Sequence, residues 1–184
     1  GSKHFAKEFM VKNNIPTAEY HKSETYEDCM SYASRLIKES GKAVLKADTL
    51  CQGKGVFIAE SLIDAEDFCK KVLIEKIFGE CSMVVEEYLD GFEMSLLCFV
   101  DNNTIKPLPT VKDHKKIHDG ERGLNTGGMG TYSPNSQADI YLSEIESTVL
   151  TPFLDGIKKD ALDFRGIIFI GFMIGTKGIK VLEF

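Results

Sequence analysis

The chain has 184 residues, a length that suits one domain or two small lobes and that can bury a substantial apolar core. Hydrophobic residues make up 43% of the sequence and charged residues 27%, proportions typical of a soluble globular protein. Lys and Arg number 22 against 28 Asp and Glu, and the resulting net charge of −6 argues against a nucleic-acid-binding or membrane-surface protein.

The number and spacing of the cysteines indicate the redox environment of the protein. The five cysteines are widely spaced and include no C-x-x-C pair, whereas a disulfide framework normally has an even count in a shorter chain. No apolar run approaches the roughly 18 residues of a membrane-spanning helix, and the first residues lack the apolar core of a signal peptide. We therefore expect reduced structural thiols and a cytoplasmic location.

Hydrophobic periodicity predicts helices in four places. Residues 3–13 place Phe5, Phe9 and Met10 on one helical face. A helix over 25–40 begins with the capping pattern Thr25-x-x-Asp28 and ends at Gly41. The third helix begins at Ser61, and the fourth covers roughly 140–160. The buried row of the third helix is predicted to be Phe68, Val72, Leu73 and Ile77.

Strands are predicted between these helices, over residues 43–46, 56–59, 82–87, 93–100, 167–174 and 179–184. Residues 107–135 are rich in Gly, Pro, Asp, Asn and Thr and have little periodicity, so we expect a long functional loop without secondary structure there. The fold class is therefore α/β or α+β, with substantial antiparallel pairing.

A lysine and a glycine-rich segment flank two of these strands. Lys46 ends one strand, and Gly53-Lys54-Gly55 opens the next. Glycines let backbone N–H groups approach an anion closely, and two ammonium groups can neutralise a polyphosphate. The spacing is not that of a Walker A loop. The segment fits either a phosphate-binding loop or a hairpin turn with exposed lysines.

An acidic bend follows the strand at 82–87. The segment Glu86-Glu87-Tyr88-Leu89 interrupts an apolar pattern that resumes at Glu93. Such a bend can offer backbone groups to a purine edge, while a carboxylate can accept hydrogen bonds from two ribose hydroxyls. The same pattern also suits a solvated acidic strand edge that resists edge-to-edge pairing.

The segment 107–135 contains two polar groups, Asp113-His114-Lys115 and Asn125-Thr126-Gly127-Gly128-Met129. The first is a compact cluster of donors with one acceptor. The second supplies successive backbone amides suited to a carboxylate or phosphate. A flexible linker is the alternative, although the flanking prolines Pro109 and Pro134 constrain the segment.

Two further residues are candidate metal ligands. His114 and His118 are four residues apart, but the surroundings are not helical and catalytic zinc needs three well-placed ligands, so we expect no zinc site. Glu183 ends the last predicted strand. A carboxylate there is either a solvent-facing position or, in a nucleotide enzyme, a ligand for Mg²⁺, which prefers one or two carboxylates plus phosphate oxygens.

Taken in order, these segments resemble the glycinamide ribonucleotide synthetase family, ATP-grasp enzymes of purine synthesis. The likeness spans essentially the whole chain. The matching segments are Ser2-Lys3-x-Phe5-Ala6-Lys7-x-Phe9-Met10, Ile15-Pro16-Thr17-Ala18, Lys46-Ala47-Asp48, Gly53-Lys54-Gly55-Val56, Glu86-Glu87-x-Leu89-Asp90-Gly91-x-Glu93-x-Ser95 and Lys180-Val181-Leu182-Glu183-Phe184. The pairing of Asp-His-Lys with Asn-Thr-Gly-Gly-Met-Gly is what separates this family from other ATP-grasp ligases.

The resemblance implies an ATP-grasp fold with two subdomains. Residues 17–88 would form the lid subdomain, with a phosphate loop at 46–56. Residues 1–16 and 89–184 would form an incomplete central subdomain, with a substrate loop at 107–135. Because the family's N-terminal domain and C-terminal part lie outside these 184 residues, we expect a fragment with negligible turnover of its own.

The resemblance also assigns roles by position. Lys46 and Lys54 are implied as catalytic residues on the ATP phosphates. The implied nucleotide contacts are Lys46, Gly53, Lys54, Gly55, Glu86, Glu87, Tyr88, Leu89 and Glu93. The implied substrate contacts are Asp113, His114, Lys115, Asn125, Thr126, Gly127, Gly128 and Met129. Glu183 is the implied ligand of Mg²⁺, for which Mn²⁺ is a possible substitute.

The implied reaction is that of an ATP-dependent C–N ligase, which joins glycine to 5-phosphoribosylamine through glycyl phosphate and releases glycinamide ribonucleotide, ADP and phosphate. Its partners would be these small molecules and the missing N- and C-terminal domains of the same chain, with no nucleic acid and no membrane. Thr49, Cys51 and Gln52 depart from the smaller residues usual in the phosphate loop. Two alternatives stay open: another ATP-grasp carboxylate–amine ligase, and a non-catalytic nucleotide-binding module.

Overall fold

The computed structural model describes residues 2–51, 54–120 and 122–184. The helices in these ranges are α1 (Lys3–Lys12), α2 (Tyr26–Ser40), α3 (Leu62–Cys69), α4 (Ser136–Asp139), α5 (Leu142–Ile145) and α6 (Thr151–Lys159). Lys70–Ile74 and Glu146–Leu150 are π-helical turns, the first continuing α3 and the second preceding α6. The strands are β1 (Tyr20–Ser23), β2 (Ala43–Ala47), β3 (Val56–Ala59), β4 (Met83–Glu87), β5 (Phe92–Val100), β6 (Ile105–Pro107), β7 (Lys112–His118), β8 (Arg122–Tyr132), β9 (Gly166–Gly175) and β10 (Gly178–Glu183).

The chain divides into two compact units. The first unit contains the residues up to Lys7 together with Ala18–Tyr88, and the second contains Glu8–Thr17 together with Leu89–Phe184. The assignment of lid and central subdomains stays a prediction, because a division by compactness does not identify subdomain roles. Each unit has its own sheet.

The first unit is a four-stranded antiparallel sheet in the order β1-β4-β2-β3, with α2 and α3 packed against it. Helix α2 begins where predicted, because the Thr25 hydroxyl accepts a hydrogen bond from the Asp28 amide at 3.2 Å, and it ends at Gly41, whose φ of 80° stops the helix. The core combines apolar faces of both helices with buried residues of the central strands, among them Cys29, Ala33, Leu36, Leu45, Phe68, Val72 and Val85.

Three local features of the first 80 residues differ from the sequence predictions. Phe5 of α1, whose spacing places it on one helical face with Phe9 and Met10, is exposed, whereas Phe9 and Met10 are buried. Ile77 is also exposed, because the helix that begins with α3 ends in the π-helical turn at Ile74. Strand β1, which has only four residues of mixed polarity and follows no apolar alternation, is found at the sheet edge without having been predicted.

The second unit is built on a second antiparallel sheet, in the order β10-β9-β5-β6. Nine residue pairs join β5 to β9 from Phe92↔Ile174 to Val100↔Gly166. Buried residues of these two strands form much of the core, including Met94, Leu96, Cys98, Ile170 and Phe172. The unit's own helices complete the hydrophobic layer through Ile145, Val149, Leu150, Phe153 and Ile157.

The expectation that residues 107–135 form a loop without secondary structure is wrong. Strands β7 and β8 make an antiparallel hairpin that pairs Lys112 with Tyr132 and His118 with Arg122. The register shifts twice along this hairpin, and Gly128 adopts a φ of 123°. Backbone hydrogen bonds hold the glycine-rich strands β7 and β8 together, so their sequences lack the apolar alternation by which strands are predicted.

The architecture confirms the predicted fold class, a mixed α and β chain with antiparallel sheets. All five cysteines are free thiols. Within the described ranges, no helix has the length and apolar character needed to span a bilayer.

Candidate functional site

Lys46 and Glu86 lie on neighbouring strands in the first unit. Lys46 pairs with Val84 across the β2–β4 ladder, and Glu86 pairs with Val44. Because residues two apart on a strand share a face, Lys46 and Glu86 are diagonal neighbours on one face of the sheet. The sequence predicted both residues as nucleotide contacts, and the structure brings them together.

A second lysine completes this cluster. Lys46 Nζ lies 2.8 Å from Glu86 Oε1, and Lys7 Nζ, from α1, lies 2.9 Å from Glu86 Oε2. Lys7, Glu86 and Lys46 are only 1%, 2% and 7% exposed. With both amines protonated, two positive charges and one negative charge leave a net charge of +1 in a nearly water-free place. Among the described residues, none donates a well-aligned hydrogen bond to Glu86 Oε1.

Burial lowers the pKa of Lys7. Desolvation is the largest cause that lowers the pKa of Lys7, to about 8 from an ordinary value of 10.5, and the charge of Lys46 lowers it further. The charges of Glu86 and Glu87 act in the opposite direction and limit the shift. The Lys7 ammonium is therefore a costly charge that the fold retains at neutral pH.

The segment predicted as a phosphate loop is tied to the start of α1. Lys3 Nζ donates hydrogen bonds to the carbonyl oxygens of Ala47 and Thr49, both at 2.8 Å. The Asp48 carboxylate accepts a hydrogen bond from the His4 amide at 3.1 Å. These contacts fix the chain where it leaves β2.

The remaining residues predicted for the phosphate loop differ in burial and in hydrogen bonding. The Ala47 amide donates to the Gly55 carbonyl at 2.8 Å, so Gly55 continues the β2–β3 pairing. Gly55 is buried, and a side chain there would lie 2.5 Å from Cys51 Sγ. Lys54 is exposed, and its amide donates to the Cys51 carbonyl at 3.0 Å. Gly53 lies outside the described residues.

The predicted adenine hinge leaves the first unit at the end of β4. Glu87 Oε1 accepts a hydrogen bond from the Glu19 amide at 2.9 Å, and the Glu87 amide donates to the Glu19 carbonyl at 3.0 Å. The Tyr88 ring is half-buried, with Lys42 Nζ 4.9 Å from its centroid. Leu89 is buried in the second unit.

Glu93 and Lys115 form an ion pair in the second unit. Lys115 Nζ lies 3.7 Å from Glu93 Oε2, and both side chains are partly exposed. The resemblance assigns Glu93 to the nucleotide and Lys115 to the substrates, so the structure links two predicted contacts of different ligands.

The β7–β8 hairpin holds the other predicted substrate contacts. Thr126 donates its hydroxyl to the Lys115 carbonyl at 2.9 Å and accepts a hydrogen bond from the Gly128 amide at 3.1 Å. Asp113 Oδ1 is buried, and no described residue donates a hydrogen bond to it. His114 and Met129 are exposed, and Gly127 belongs to β8. Asn125 pairs with Lys116 through the backbone, but its side chain lies outside the description.

Glu183 lies at the end of β10, after a bulge that places it opposite Gly171. Gly171 pairs in turn with Ser95, two residues from Glu93 on β5. The predicted metal ligand and Glu93 therefore share one face of the second sheet. No group of three His, Cys, Asp or Glu side chains is close enough to hold a metal in the described part of the chain. A single exposed carboxylate fits Mg²⁺ only in company with phosphate oxygens.

The sequence predictions assigned no role to Lys3 or Lys7. Both belong to the segment that carries the resemblance, and both reach residues of β2 or β4. The available signal was the position of Lys7, three residues before the fully buried Met10 on α1. A lysine on the buried side of an amphipathic helix normally needs a partner, and this partner proved to be Glu86.

Comparison with known structures places the chain among the ATP-grasp proteins. The crystal structure of phosphoribosylamine–glycine ligase from Thermotoga maritima superimposes with a TM-score of 0.87 at 36% identity and covers the whole chain. An N5-carboxyaminoimidazole ribonucleotide synthetase in complex with ADP has a TM-score of 0.73 at 17% identity, a likeness of fold alone. The predicted ATP-grasp fold is confirmed.

The family follows from the sequence match. Residues 1–184 match the family described as phosphoribosylglycinamide synthetase, ATP-grasp (A) domain, and the chain belongs to this family. It is 44% identical to phosphoribosylamine–glycine ligase from Clostridium acetobutylicum and 41% identical to the human trifunctional purine biosynthetic protein adenosine-3, with full coverage of this chain in both cases. The chain covers 44% of the first relative and 18% of the second, so it spans less than half of either.

Proposed function

We propose that this chain supplies the ATP-grasp part of an ATP-dependent ligase that joins glycine to 5-phosphoribosylamine. ATP would transfer its γ-phosphoryl group to the glycine carboxylate, and the amine of phosphoribosylamine would then attack the acyl carbon and displace phosphate. The products are glycinamide ribonucleotide, ADP and phosphate. The observation that carries the proposal is the match of the entire chain to one family, at 44% identity to a relative that bears this activity in its name.

The buried cluster in the first unit supports the nucleotide part of the proposal. Phosphoryl transfer depends mostly on positioning and on neutralising the charge of the phosphates. Lys46 supplies a desolvated ammonium group at a fixed place on β2, where its attraction to a phosphate is stronger than in water. Exposed Lys54 is proposed as the second phosphate contact, with Gly53 and Gly55 beside it.

Residues of the second unit are proposed to serve the ribose, the metal and the substrates. Glu93 would accept hydrogen bonds from the ribose, and Asp113 Oδ1, a buried acceptor to which no described residue donates, would accept one from an ammonium or amine of a substrate. Glu183 would hold Mg²⁺, or Mn²⁺ in its place, together with phosphate oxygens. When bound, this ion would neutralise charge on the phosphates.

The first prediction concerns Lys46. In the full-length protein, Lys46→Met should lower kcat/KM for ATP by about 10²–10³-fold, because it removes a preorganised charge from the transferring phosphates. The measurement is ADP release that depends on both glycine and phosphoribosylamine. Lys71→Met, which breaks an exposed ion pair with Asp67 on the surface of the same unit, is the matched control and should leave the rate unchanged.

The same assay separates this proposal from its alternatives. ADP release that depends on bicarbonate or on another carboxylate instead of glycine would identify a different ATP-grasp ligase. Nucleotide binding without any substrate-dependent ADP release would indicate a binding module. Full activity of Lys46→Met would contradict the assigned role of this residue.

A further inference from the structure

We propose that Lys7 is a positioning residue of the nucleotide site, which balances the charge of Glu86 so that the charge of Lys46 stays available to a polyphosphate. This inference rests on the proposed nucleotide site. It starts from the geometry of three side chains that come from α1, β2 and β4 and meet with almost no exposure to water.

The two oxygens of Glu86 are divided between two cations. Oε2 lies 2.9 Å from Lys7 Nζ, and Oε1 lies 2.8 Å from Lys46 Nζ. Without Lys7, the full charge of the carboxylate would act on Lys46 alone, and the net charge of the cluster would fall from +1 to 0. A neutral cluster attracts a polyphosphate far less than a cationic one, above all where water does not screen the charges.

Stability alone does not account for a lysine at this position. Desolvation disfavours the Lys7 ammonium strongly enough to lower its pKa to about 8, and a buried ion pair is often no more stabilising than apolar residues of similar volume. The charge of Lys7 therefore needs a reason beyond packing, and charge balance in the cluster provides one.

The surroundings of Lys7 define what a change of pH would do. The charged and titratable groups around Lys7 include Glu86 and Glu87 on β4, Lys46 on β2 and the Tyr20 ring on β1, whose centroid lies 5.7 Å from Lys7 Nζ. As the pH rises through about 8, Lys7 loses its proton and with it the positive charge beside Glu86. The balance of charge is then lost, and nucleotide affinity should fall with rising pH.

The test compares ATP binding by four variants of the full-length protein with that of the wild type, using calorimetry at pH 7. Lys7→Met should weaken binding by about tenfold or more, equivalent to about 1.4 kcal/mol. Lys7→Arg, which keeps the charge, should stay within about threefold of the wild type. The double variant Lys7→Met with Glu86→Gln removes both charges, restores the net charge of +1 through Lys46 and should bind ATP more tightly than Lys7→Met. Lys71→Met is the exposed control and should bind like the wild type.

Two readouts separate positioning from a merely structural role. Thermal unfolding establishes that each variant is folded before its affinity is interpreted. The affinity of the wild type should decline between pH 7 and 9 with a midpoint near 8, and Lys7→Arg should lack this decline because arginine keeps its proton. A purely structural lysine would not give the wild type a decline of affinity with pH that Lys7→Arg lacks.

The outcomes distinguish this inference from the proposed function. A wild-type protein that does not bind ATP would overturn the proposed nucleotide site itself. Binding by the wild type and equally tight binding by folded Lys7→Met would overturn only the role of Lys7, and so would a double variant as weak as Lys7→Met.

Discussion

Lys7, Lys46 and Glu86 illustrate how far single residues could be predicted. The sequence marks Lys46 and Glu86 as candidate nucleotide contacts, because Lys46 ends a predicted strand and Glu86 lies in an acidic bend. Their contact depends on the β2–β4 register, which is a long-range property of the fold. The role of Lys7 depends on α1 reaching the same sheet face, and nothing in the local sequence specifies that approach.

Gly91 supports a prediction about stability at the same scale. Its φ is 141°, and a Cβ atom there would lie 2.2 Å from the Ile174 carbonyl oxygen on the neighbouring strand. Gly91→Ala should therefore reduce the free energy of unfolding by at least about 2 kcal/mol, through backbone strain plus overlap with main-chain atoms. Chemical denaturation provides the measurement.

Gly166 is the matched control for this substitution. Its φ of 147° is close to that of Gly91, but a Cβ atom there would have no neighbour within 4 Å. Gly166→Ala therefore measures the backbone strain alone. A Gly91→Ala variant no less stable than Gly166→Ala would show that the close approach to β9 is not what requires glycine at position 91.

Helix α2 is the element whose ends are most firmly specified by local chemistry. Thr25 accepts the Asp28 amide hydrogen bond that begins the helix, so Thr25→Ala should lower the free energy of unfolding by about 1 kcal/mol. Urea denaturation measures the loss. Ser31→Ala, at an exposed position inside the same helix, should change stability by less than about 0.5 kcal/mol, and an equal loss in both variants would contradict the capping role.

Helices and apolar strands could be predicted at the level of elements, whereas glycine-rich and polar strands could not. Apolar periodicity identified α2, α3, β5 and β9 because their buried faces impose it. The β7–β8 hairpin has no such face. Its pairing rests on backbone hydrogen bonds across two register shifts, so residues 112–132 lack the alternation by which a strand is recognised.

For the candidate site, the sequence supplies candidate residues but not their geometry. The motifs predicted Glu93 as a nucleotide contact and Lys115, separately, as a substrate contact. Their ion pair requires β7 to return beside β5, which the antiparallel bridge Ser95↔Val111 accomplishes. Contacts between residues this far apart in sequence depend on the packed fold.

The thiols allow a prediction for the molecule as a whole. Cys29, Cys69 and Cys98 are fully buried, and burial raises the pKa of Cys98 to about 12. Cys51 and Cys81 are partly exposed, although desolvation raises the pKa of Cys81 as well. Because a reagent must reach the thiol, and buried thiols are inaccessible, only Cys51 and Cys81 should react with an aromatic disulfide reagent within minutes at pH 7.5.

Unfolding the protein provides the control for this count. In denaturant all five thiols should react at similar rates. Peptide mass spectrometry of the labelled native protein identifies the reactive positions. Rapid labelling of Cys29, Cys69 or Cys98 under native conditions would show that one of the two cores opens readily.

Under the ligand roles proposed for Glu93 and Lys115, their contact would make two binding equilibria depend on each other. A ribose hydroxyl that hydrogen-bonds to Glu93 competes with Lys115 for the same carboxylate, and a substrate that recruits Lys115 competes with Glu93 for the same ammonium. By thermodynamic linkage, each ligand would then change the affinity of the other by the same factor. Because the pair is partly exposed and 3.7 Å long, that factor should not exceed about fivefold, equivalent to about 1 kcal/mol. Under these proposed roles, one loose ion pair would couple the two ligands and would also limit how strongly they are coupled at this point.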